Sequence, residues 1–381
     1  MNTQPQSQPV HVLIAGGGVA ALEAMMALRA LAADRVRITL LAPGDDFHYR
    51  PMAVTEPFAI GHAETLALAD IAADFDARIV TGSLDRVVPA DREVVTHGGE
   101  RLAYDALVIA CGTHTRPALE GAVTIDDRNL GDTLGGLVQD VEQGYTHEIA
   151  FVVAQQPAWP LPLYELALMM SRRAYDMNAT VELSVVSPER APLSQFGSVI
   201  SGDLARLLRD AGIAFHGSRQ ATLEHGELTL SPGGLELRPG RVVALPLLEG
   251  PRIDGLPADA DGFICVDEYG EVRDLPGVYA AGDATTYPVK HGGIAAQQAD
   301  VVAESIAAHL GLAVDRQPLR AVLRAKLLTG ADPRFYEAHL VGAGVLQSTV
   351  SDVCPWETPG KIAARHLGPY LARGDRHPVG A

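Results

Sequence analysis

Val10–Ala21 reads VHVLIAGGGVAA, a short apolar run followed by three glycines and then small residues. The run predicts a buried strand, and the apolar spacing from Ala20 to Ala33 predicts a helix. Arg35–Leu41 (RVRITLL) predicts a second strand. This order of strand, turn, helix and strand indicates the start of a doubly wound α/β sheet with parallel strands.

The glycine-rich turn fits the pattern G-x-G-x-x-G/A at Gly16, Gly18 and Ala21. In that pattern the first glycine permits the tight turn, the second lets a pyrophosphate approach the backbone, and the small third residue lets the helix pack on the sheet. The positive helix N-terminus then attracts the pyrophosphate. We therefore predict a dinucleotide site, the alternative being a turn with a purely structural role.

The acidic residue that usually ends the second strand and binds the adenosine ribose is missing. Ala42 and Pro43 stand at that place. Asp45 and Asp46 follow just beyond and are interpreted as residues of a solvated loop. The sequence therefore assigns no residue to the ribose.

The same plan is repeated further along the chain. Ile149–Ala154 predicts a strand, Leu163–Tyr175 a helix and Val181–Val186 another strand, while Val278–Asp283 looks like a last core strand of the first unit. We expect an α/β fold of two Rossmann-like three-layer dinucleotide-binding domains plus a small C-terminal segment.

The predicted boundaries make the first domain discontinuous. It takes residues 1–117 and 245–314, the second domain takes 118–244, and the C-terminal segment takes 315–381. This last segment has mixed strand patterns and a final helix predicted around Lys361–Arg373.

Composition and charge exclude several classes of function. The net charge of −17 would repel the phosphates of nucleic acids. No apolar stretch reaches the roughly 18 residues needed to span a bilayer, and the polar N-terminus does not look like a signal peptide. We expect a cytoplasmic protein for which only peripheral membrane contact is open. The three cysteines are too far apart for a metal site or a disulfide framework.

Three segments, in order, resemble the FAD-binding signatures of the pyridine nucleotide–disulfide oxidoreductase superfamily. They are Gly16–Ala21, Tyr104–Pro117 (YDALVIACGTHTRP) and Gly277–Asp300, which contains Ala-Gly-Asp. More narrowly, these segments resemble the sulfide:quinone oxidoreductase and type II NADH dehydrogenase branches of that superfamily. The resemblance implies noncovalently bound FAD and a two-electron transfer through the flavin.

The resemblance also implies roles for residues near the third segment. Gly282 and Asp283 match the motif whose carboxylate accepts hydrogen bonds from the ribityl hydroxyls of FAD. Gly293 and Ala295 would open a helix aimed at the pyrimidine edge of the flavin. The positive end of that helix would stabilise a reduced flavin.

Five further residues are assigned to FAD in the same way. Cys111, Gly112 and Thr113 stand where the family has a turn near the pyrophosphate, and Cys111 is expected to be a small buried residue rather than a nucleophile. Arg50 and Pro51 stand where relatives line the isoalloxazine ring.

The turn of the second unit departs from the glycine fingerprint. Ala154–Pro162 reads AQQPAWPLP, with no glycine and three prolines. Such residues block a close backbone approach and remove N–H donors, so NAD(P)H is possible but disfavoured there. Sulfide:quinone oxidoreductases and flavocytochrome c sulfide dehydrogenase also lack that fingerprint. They use a cysteine in this turn, where Trp159 stands here.

Three residues are the catalytic candidates: Glu165, Lys290 and Cys354. Glu165 matches a flavin-facing helix position of relatives, with a helix-dipole role as the alternative. Lys290 precedes the flavin-facing helix and would pair with the flavin or a quinone oxygen, or else lie on the surface. Cys354 is the one cysteine with a functional prospect. His291 is interpreted as a solvated loop residue and Cys265 as a core residue.

Three functions stay open. The first is a sulfide:quinone oxidoreductase-like enzyme that acts on a different small donor and for which a quinone is one candidate acceptor. The second is an NAD(P)H:quinone-type dehydrogenase, and the third is a non-catalytic nucleotide-binding relative. The partners expected are small molecules, with a homodimer as a plausible assembly.

Overall fold

The computed structural model describes residues 8–125, 130–155, 159–341 and 344–374. Within these ranges the α-helices are Val19–Ala32 (α1), Leu68–Asp74 (α2), Leu130–Glu142 (α3), Leu161–Asp176 (α4), Ser198–Asp210 (α5), Gly292–His309 (α6) and Leu367–Gly374 (α7). Short 3-10 helices span Ala33–Arg35, Arg50–Phe58, Ser194–Phe196 and Gly282–Ala284.

The strands are, in chain order, Val10–Ala15 (β1), Val36–Ala42 (β2), Asp46–His48 (β3), Thr65–Ala67 (β4), Ala77–Thr81 (β5), Leu84–Val88 (β6), Glu93–Thr96 (β7), Arg101–Ala103 (β8), Ala106–Ile109 (β9), His114–Arg116 (β10), Val123–Thr124 (β11), Glu148–Val152 (β12), Glu182–Val186 (β13), Ala214–His216 (β14), Gln220–Glu224 (β15), Glu227–Ser231 (β16), Leu235–Leu237 (β17), Arg241–Ala244 (β18), Leu247–Glu249 (β19), Val278–Ala280 (β20), Val322–Leu327 (β21), Arg334–Val341 (β22) and Gly344–Ser351 (β23).

The first parallel sheet has the strand order β20-β9-β1-β2-β5. Successive side chains of the central strand β1 point to opposite faces. Val12 and Ile14 pack with α1 and α6, whereas Leu13 and Ala15 pack with the antiparallel sheet β6-β7-β8. Covering both faces of a parallel sheet buries its apolar strands, and it produces three layers.

The second parallel sheet repeats this construction with the order β11-β18-β12-β13-β14. Phe151 of β12 packs with α4 and α5, while Ala150 and Val152 pack with the antiparallel strands β15 and β16. Two three-layer units of the same plan confirm the predicted α/β, Rossmann-like fold. The exact domain boundaries stay a prediction.

The C-terminal part differs from its prediction at one point. Its antiparallel sheet β21-β22-β23 packs into the core of the second unit through Leu323, Leu327 and Tyr336. The final helix, predicted from Lys361, begins only at Leu367. The preceding segment is not helical because its polar groups bond to distant segments: Ile362 N–H donates to the Tyr49 hydroxyl at 3.0 Å.

The described helices include none that is both long and apolar enough to cross a membrane.

Candidate functional site

The glycine-rich turn lies at the carboxyl end of β1, at the edge of the first parallel sheet. Gly16 has φ +138° and donates its N–H to Leu41 O at 2.8 Å. A Cβ at this position would lie 2.2 Å from Ala110 O. Only glycine fits here, because a side chain would collide with the neighbouring strand and the backbone angle disfavours other residues.

Gly18 and Ala21 lie at the N-terminus of α1. Gly18 is the N-cap residue, no side chain caps the helix, and a Cβ on Gly18 would meet nothing within 4 Å. Ala21 is fully buried under the helix. The space beside Gly18 at the N-terminus of α1 is therefore open, which is an arrangement suited to an anion.

The turn after β9 carries Cys111, Gly112 and Thr113. Gly112 has φ +74°, and Thr113 lines the cleft described below. Cys111 is exposed as a residue rather than buried as expected, but desolvation of its thiol raises the pKa of Cys111 to about 11, which agrees with the expectation that it is not a nucleophile. Strand β9 ends at Ile109, Ala110 after it is still buried, and Cys111 is the first residue that is not.

Gly282 brings the turn after β20 close to α1 and α6. It has φ +79° and donates its N–H to Gln298 Oε1 at 2.7 Å. A Cβ here would lie 3.0 Å from the Cβ of Ala20 and 3.4 Å from that of Ala295. This close packing delivers the next residue, Asp283, to the wall of the cleft.

A cleft of about 950 Å³ lies between the two units. The first unit contributes Arg50, Thr113, Asp283 and Lys290, and the second contributes Trp159 and Phe196. Arg50 is exposed and, with Pro51, begins the 3-10 helix Arg50–Phe58. Four of the predicted residues, two from the early part of the chain and two from its later part, thus line one cleft.

Lys290 is buried in this wall rather than lying on the surface. Its side chain is 9% exposed, donates a hydrogen bond to Thr285 O, and sits 3.9 Å from the centroid of the Phe263 ring. Burial lowers the pKa of Lys290 to about 8, although the negative charges of Asp283 and Asp259 oppose the shift. Lys290 is therefore poised to gain or lose its charge in mildly alkaline solution.

His291 is also buried, so its interpretation as a solvated loop residue is wrong. Its Nδ1 accepts the N–H of Gly293 at 3.1 Å and caps α6, and its ring packs edgewise on Trp159 at 4.7 Å. Burial, and then the charge of Lys361, lower the pKa of His291 to about 3. It is neutral at physiological pH.

The helix predicted to begin near Gly293 is present as α6, and its orientation towards a flavin stays a prediction. Gly293 and Ala295 are both buried in its first turn, and Ala295 donates its N–H to His291 O at 2.9 Å.

Glu165 is fully buried in α4 and pairs with a residue that the sequence did not single out. Lys361 Nζ donates to Glu165 at 2.7 Å and to Pro51 O at 3.0 Å, and Leu328 N–H donates to the same carboxylate at 2.8 Å. Burial raises the pKa of Glu165, while Lys361 opposes the rise. The sequence predicts Lys361 only as the start of the final helix, and no local pattern marks it as buried.

Glu165 and Lys361 are not among the described residues that line the cleft, and neither is the remaining candidate, Cys354. Cys354 is half-buried and donates its Sγ–H to Trp356 O at 3.4 Å. Cys265 is half-buried rather than a core residue. In the glycine-free turn, Trp159 lines the cleft and Pro160 is the N-cap of α4, whereas residues 156–158 lie outside the described ranges.

Known proteins share this fold. The sulfide:quinone oxidoreductase of the hyperthermophilic bacterium Aquifex aeolicus is similar with a TM-score of 0.81 and 19% identity, covering 90% of this chain and 86% of that one. A ferredoxin reductase of Rhodopseudomonas palustris has a TM-score of 0.66 and 19% identity, with 86% and 82% covered. A NAD-dependent persulfide reductase of A. fulgidus has a TM-score of 0.63 and 19% identity, with 86% and 64% covered.

A sequence comparison with curated proteins finds no match. Residues 10–149 match the family model described as pyridine nucleotide-disulphide oxidoreductase. This stretch holds the glycine turn and the turn after β9. The family model thus matches the N-terminal part of the chain, and the solved structures show that the described chain shares their fold.

Proposed function

We propose that this chain binds FAD noncovalently and passes two electrons from a small donor to a quinone-like or other small acceptor. The observation that carries the proposal is the convergence of three separate turns on one region: Gly16–Gly18, the turn at Thr113, and Asp283. When bound, the isoalloxazine ring would supply the two-electron chemistry.

The described residues fit such a cofactor. The open N-terminus of α1 at Gly18 suits the pyrophosphate, and the carboxylate of Asp283 suits the ribityl hydroxyls. The exposure of Cys111 beside the glycine turn also fits, since FAD would cover it. The ribose contact stays unassigned because Asp45 and Asp46 are both exposed beyond β2.

The Glu165–Lys361 pair supports an acceptor that takes up protons, such as a quinone. Lys361 also contacts the carbonyl of Pro51, in the segment that resemblance assigns to the isoalloxazine ring. Burial raises the pKa of Glu165, so this carboxyl group holds a proton to a higher pH than an exposed glutamate and could pass it to a reduced oxygen. We assign Glu165 as the proton carrier and Lys361 as the residue that orients it.

Lys290 is assigned to substrate or flavin binding at the cleft wall. Its ammonium group, placed on an apolar wall beside Asp283, would attract an anionic substrate group or the negative charge of a reduced flavin.

Lys290 predicts a pH dependence of the reaction. Because its pKa is about 8, its charge is present below pH 8 and is lost above it. The rate of flavin reduction or reoxidation should fall as pH rises through about 8 in the wild type. Lys290→Arg should keep the rate at higher pH, since arginine stays charged. Stopped-flow rates from pH 6 to 10 test this, and identical profiles for both proteins would remove Lys290 from the mechanism.

The structure around Trp159 supports a donor other than NAD(P)H or sulfide. Pro160 and Pro162 supply no N–H donors at the start of α4, and the indole of Trp159 occupies the cleft wall. No cysteine of the described chain lines the cleft, so a thiol relay has no support. Cytoplasmic location, peripheral membrane contact at most, and a dimer are further parts of the proposal.

An anaerobic titration of the visible flavin band tests this function. We expect the band to survive NADH, NADPH and sulfide, and to return promptly on addition of a soluble quinone after chemical reduction. Rapid bleaching by NADH or NADPH would instead establish the NAD(P)H:quinone alternative, and bleaching by sulfide would establish sulfide oxidation. A folded protein that takes up FAD but shows neither reduction nor quinone reoxidation would favour the non-catalytic alternative.

A further inference from the structure

A second cluster of ionisable side chains, in which Glu23 is buried and Asp300 and His366 are half-buried, lies away from the cleft, where α1, α6 and the start of α7 meet. It consists of Glu23, Asp300 and His366, from each of which one nitrogen or oxygen atom lies within 4.8 Å of the others. Glu23 is fully buried. Its two carboxylate oxygens accept the backbone N–H groups of His366 at 2.8 Å and Leu367 at 2.6 Å. Glu23 therefore fastens the N-terminus of α7 to α1.

Asp300 is the unexplained member of this cluster. Its Oδ1 is buried and accepts no hydrogen bond from the described residues. His366 Nε2 is 3.9 Å away, too far for a hydrogen bond. Arg365 is 66% exposed and lies 3.8 Å from a different carboxylate, that of Glu304. The buried carboxylate of Glu23 and the half-buried carboxylate of Asp300, whose Oδ1 is shielded from water, would repel each other if both were charged without a close counter-ion.

We propose that Asp300 and Glu23 share one proton, and that this shared proton holds α7 on the surface formed by α1 and α6. The protonated Asp300 carboxyl donates to Glu23, and the pair then carries a single negative charge. That charge faces the N-terminus of α7, where a negative charge is favourable.

The charged surroundings agree with this assignment. Burial raises the pKa of Asp300 to about 8, with further contributions from Glu23 on α1 and Glu304 on α6, while Arg365 opposes them. Burial lowers the pKa of His366, so this histidine adds no charge at neutral pH. Asp300 is therefore protonated at pH 7 when α7 is docked.

The direction of the pH effect follows from linkage. When α7 detaches, water reaches Asp300 and its pKa falls towards the ordinary value of about 3.9. The detached state then releases the proton, so detachment becomes easier as pH rises towards 8. Above about pH 8 the docked state has also lost the proton, and the effect levels off.

A metal ion is the competing occupant of this cluster. It would need carboxylate oxygens, but both oxygens of Glu23 already accept backbone N–H groups. A shared proton needs only one further lone pair on a Glu23 oxygen, which lies within 4.8 Å of the Asp300 carboxylate, whereas a metal ion needs several free ligand atoms at once. The geometry therefore favours the proton.

Release of α7 would reach the candidate active site. The segment directly before it carries Lys361, which is bonded to Glu165 and Pro51, and Ile362, which is bonded to Tyr49. A change in the docking of α7 is thus transmitted through a few residues of chain. The docking of α7 can be measured whether or not the protein has redox activity.

Hydrogen exchange of the peptide covering residues 362–374 tests the proposal, with wild type and Asp300→Asn compared at pH 6, 7 and 8. The asparagine mimics the protonated carboxyl and cannot ionise. The ratio of wild-type to variant exchange should rise with pH by up to about tenfold per unit. Glu304→Gln, which removes a neighbouring carboxylate, should keep that dependence. A ratio that does not change with pH would overturn the proposal.

Two further measurements address a bound metal ion and the case of a variant that does not fold. Repeating the exchange with EDTA and with added Zn²⁺ should change nothing; protection that requires zinc in the wild type but not in Asp300→Asn would overturn the proton in favour of a metal. If Asp300→Asn does not fold, wild-type exchange corrected for its intrinsic rates decides alone. It must rise from pH 6 to 8 and level off above pH 8, and a constant corrected rate would contradict the shared proton.

Discussion

Gly16→Ala is expected to lower the affinity for FAD by about 100-fold or more, equivalent to about 2.7 kcal/mol. The new methyl group would lie 2.2 Å from Ala110 O, and the backbone angle of φ +138° adds strain of about 1–3 kcal/mol. The turn must move, and it then no longer presents its backbone to a pyrophosphate. Flavin fluorescence titration measures the affinity, and urea unfolding of the FAD-free protein measures the stability.

Gly18→Ala is the matched control for this turn. A Cβ at Gly18 meets nothing within 4 Å, so the FAD-free variant should be about as stable as the wild type. Its methyl group would nevertheless occupy the space offered to the pyrophosphate, and FAD affinity should fall. Full FAD affinity in both variants would contradict the assignment of this turn to the cofactor.

Lys361→Met is expected to lower the free energy of unfolding by about 3–5 kcal/mol at neutral pH, because it leaves the buried Glu165 carboxylate without its cation. Removing Lys361 also removes the interaction that opposes the raised pKa of Glu165. Glu165 would then stay protonated in the folded variant to a higher pH, while it ionises above about pH 4.3 in the unfolded chain. Stability is lost as pH rises, so the deficit of the variant should be larger at pH 8 than at pH 5.

A double-mutant cycle separates this pair from its surroundings. Glu165→Gln together with Lys361→Met removes both charges, and we expect it to be more stable than Lys361→Met alone and to lose most of the pH-dependent deficit. Urea unfolding at pH 5 and pH 8 measures all four proteins. Additive effects of the two substitutions would show that the 2.7 Å contact contributes no coupling.

The sequence predicts well what depends on local pattern. The strand at Val10–Ala15 and the turn at Gly16 follow from apolar runs and glycine spacing, because a buried parallel strand and a tight turn each impose requirements on consecutive residues. The predicted helix of the second unit, Leu163–Tyr175, differs from α4 by no more than two residues at either end.

Residues whose roles depend on distant contacts escaped prediction. Lys361 and Glu165 are 196 positions apart and meet only because the C-terminal segment returns over Pro51. The sequence does not reveal that His291 is buried, because its capping of α6 and its contact with Trp159 require the folded arrangement. Asp300 looks like an ordinary helix residue until Glu23 of another helix is placed beside it.

Titration of the purified, FAD-free chain with FAD tests the central claim most directly. We predict saturation at one FAD per chain, with the visible absorption band of a bound flavin and with weaker binding in Gly16→Ala. A folded chain that takes up no FAD at any concentration tested, or that binds it equally well when Gly16 is replaced, would contradict the account.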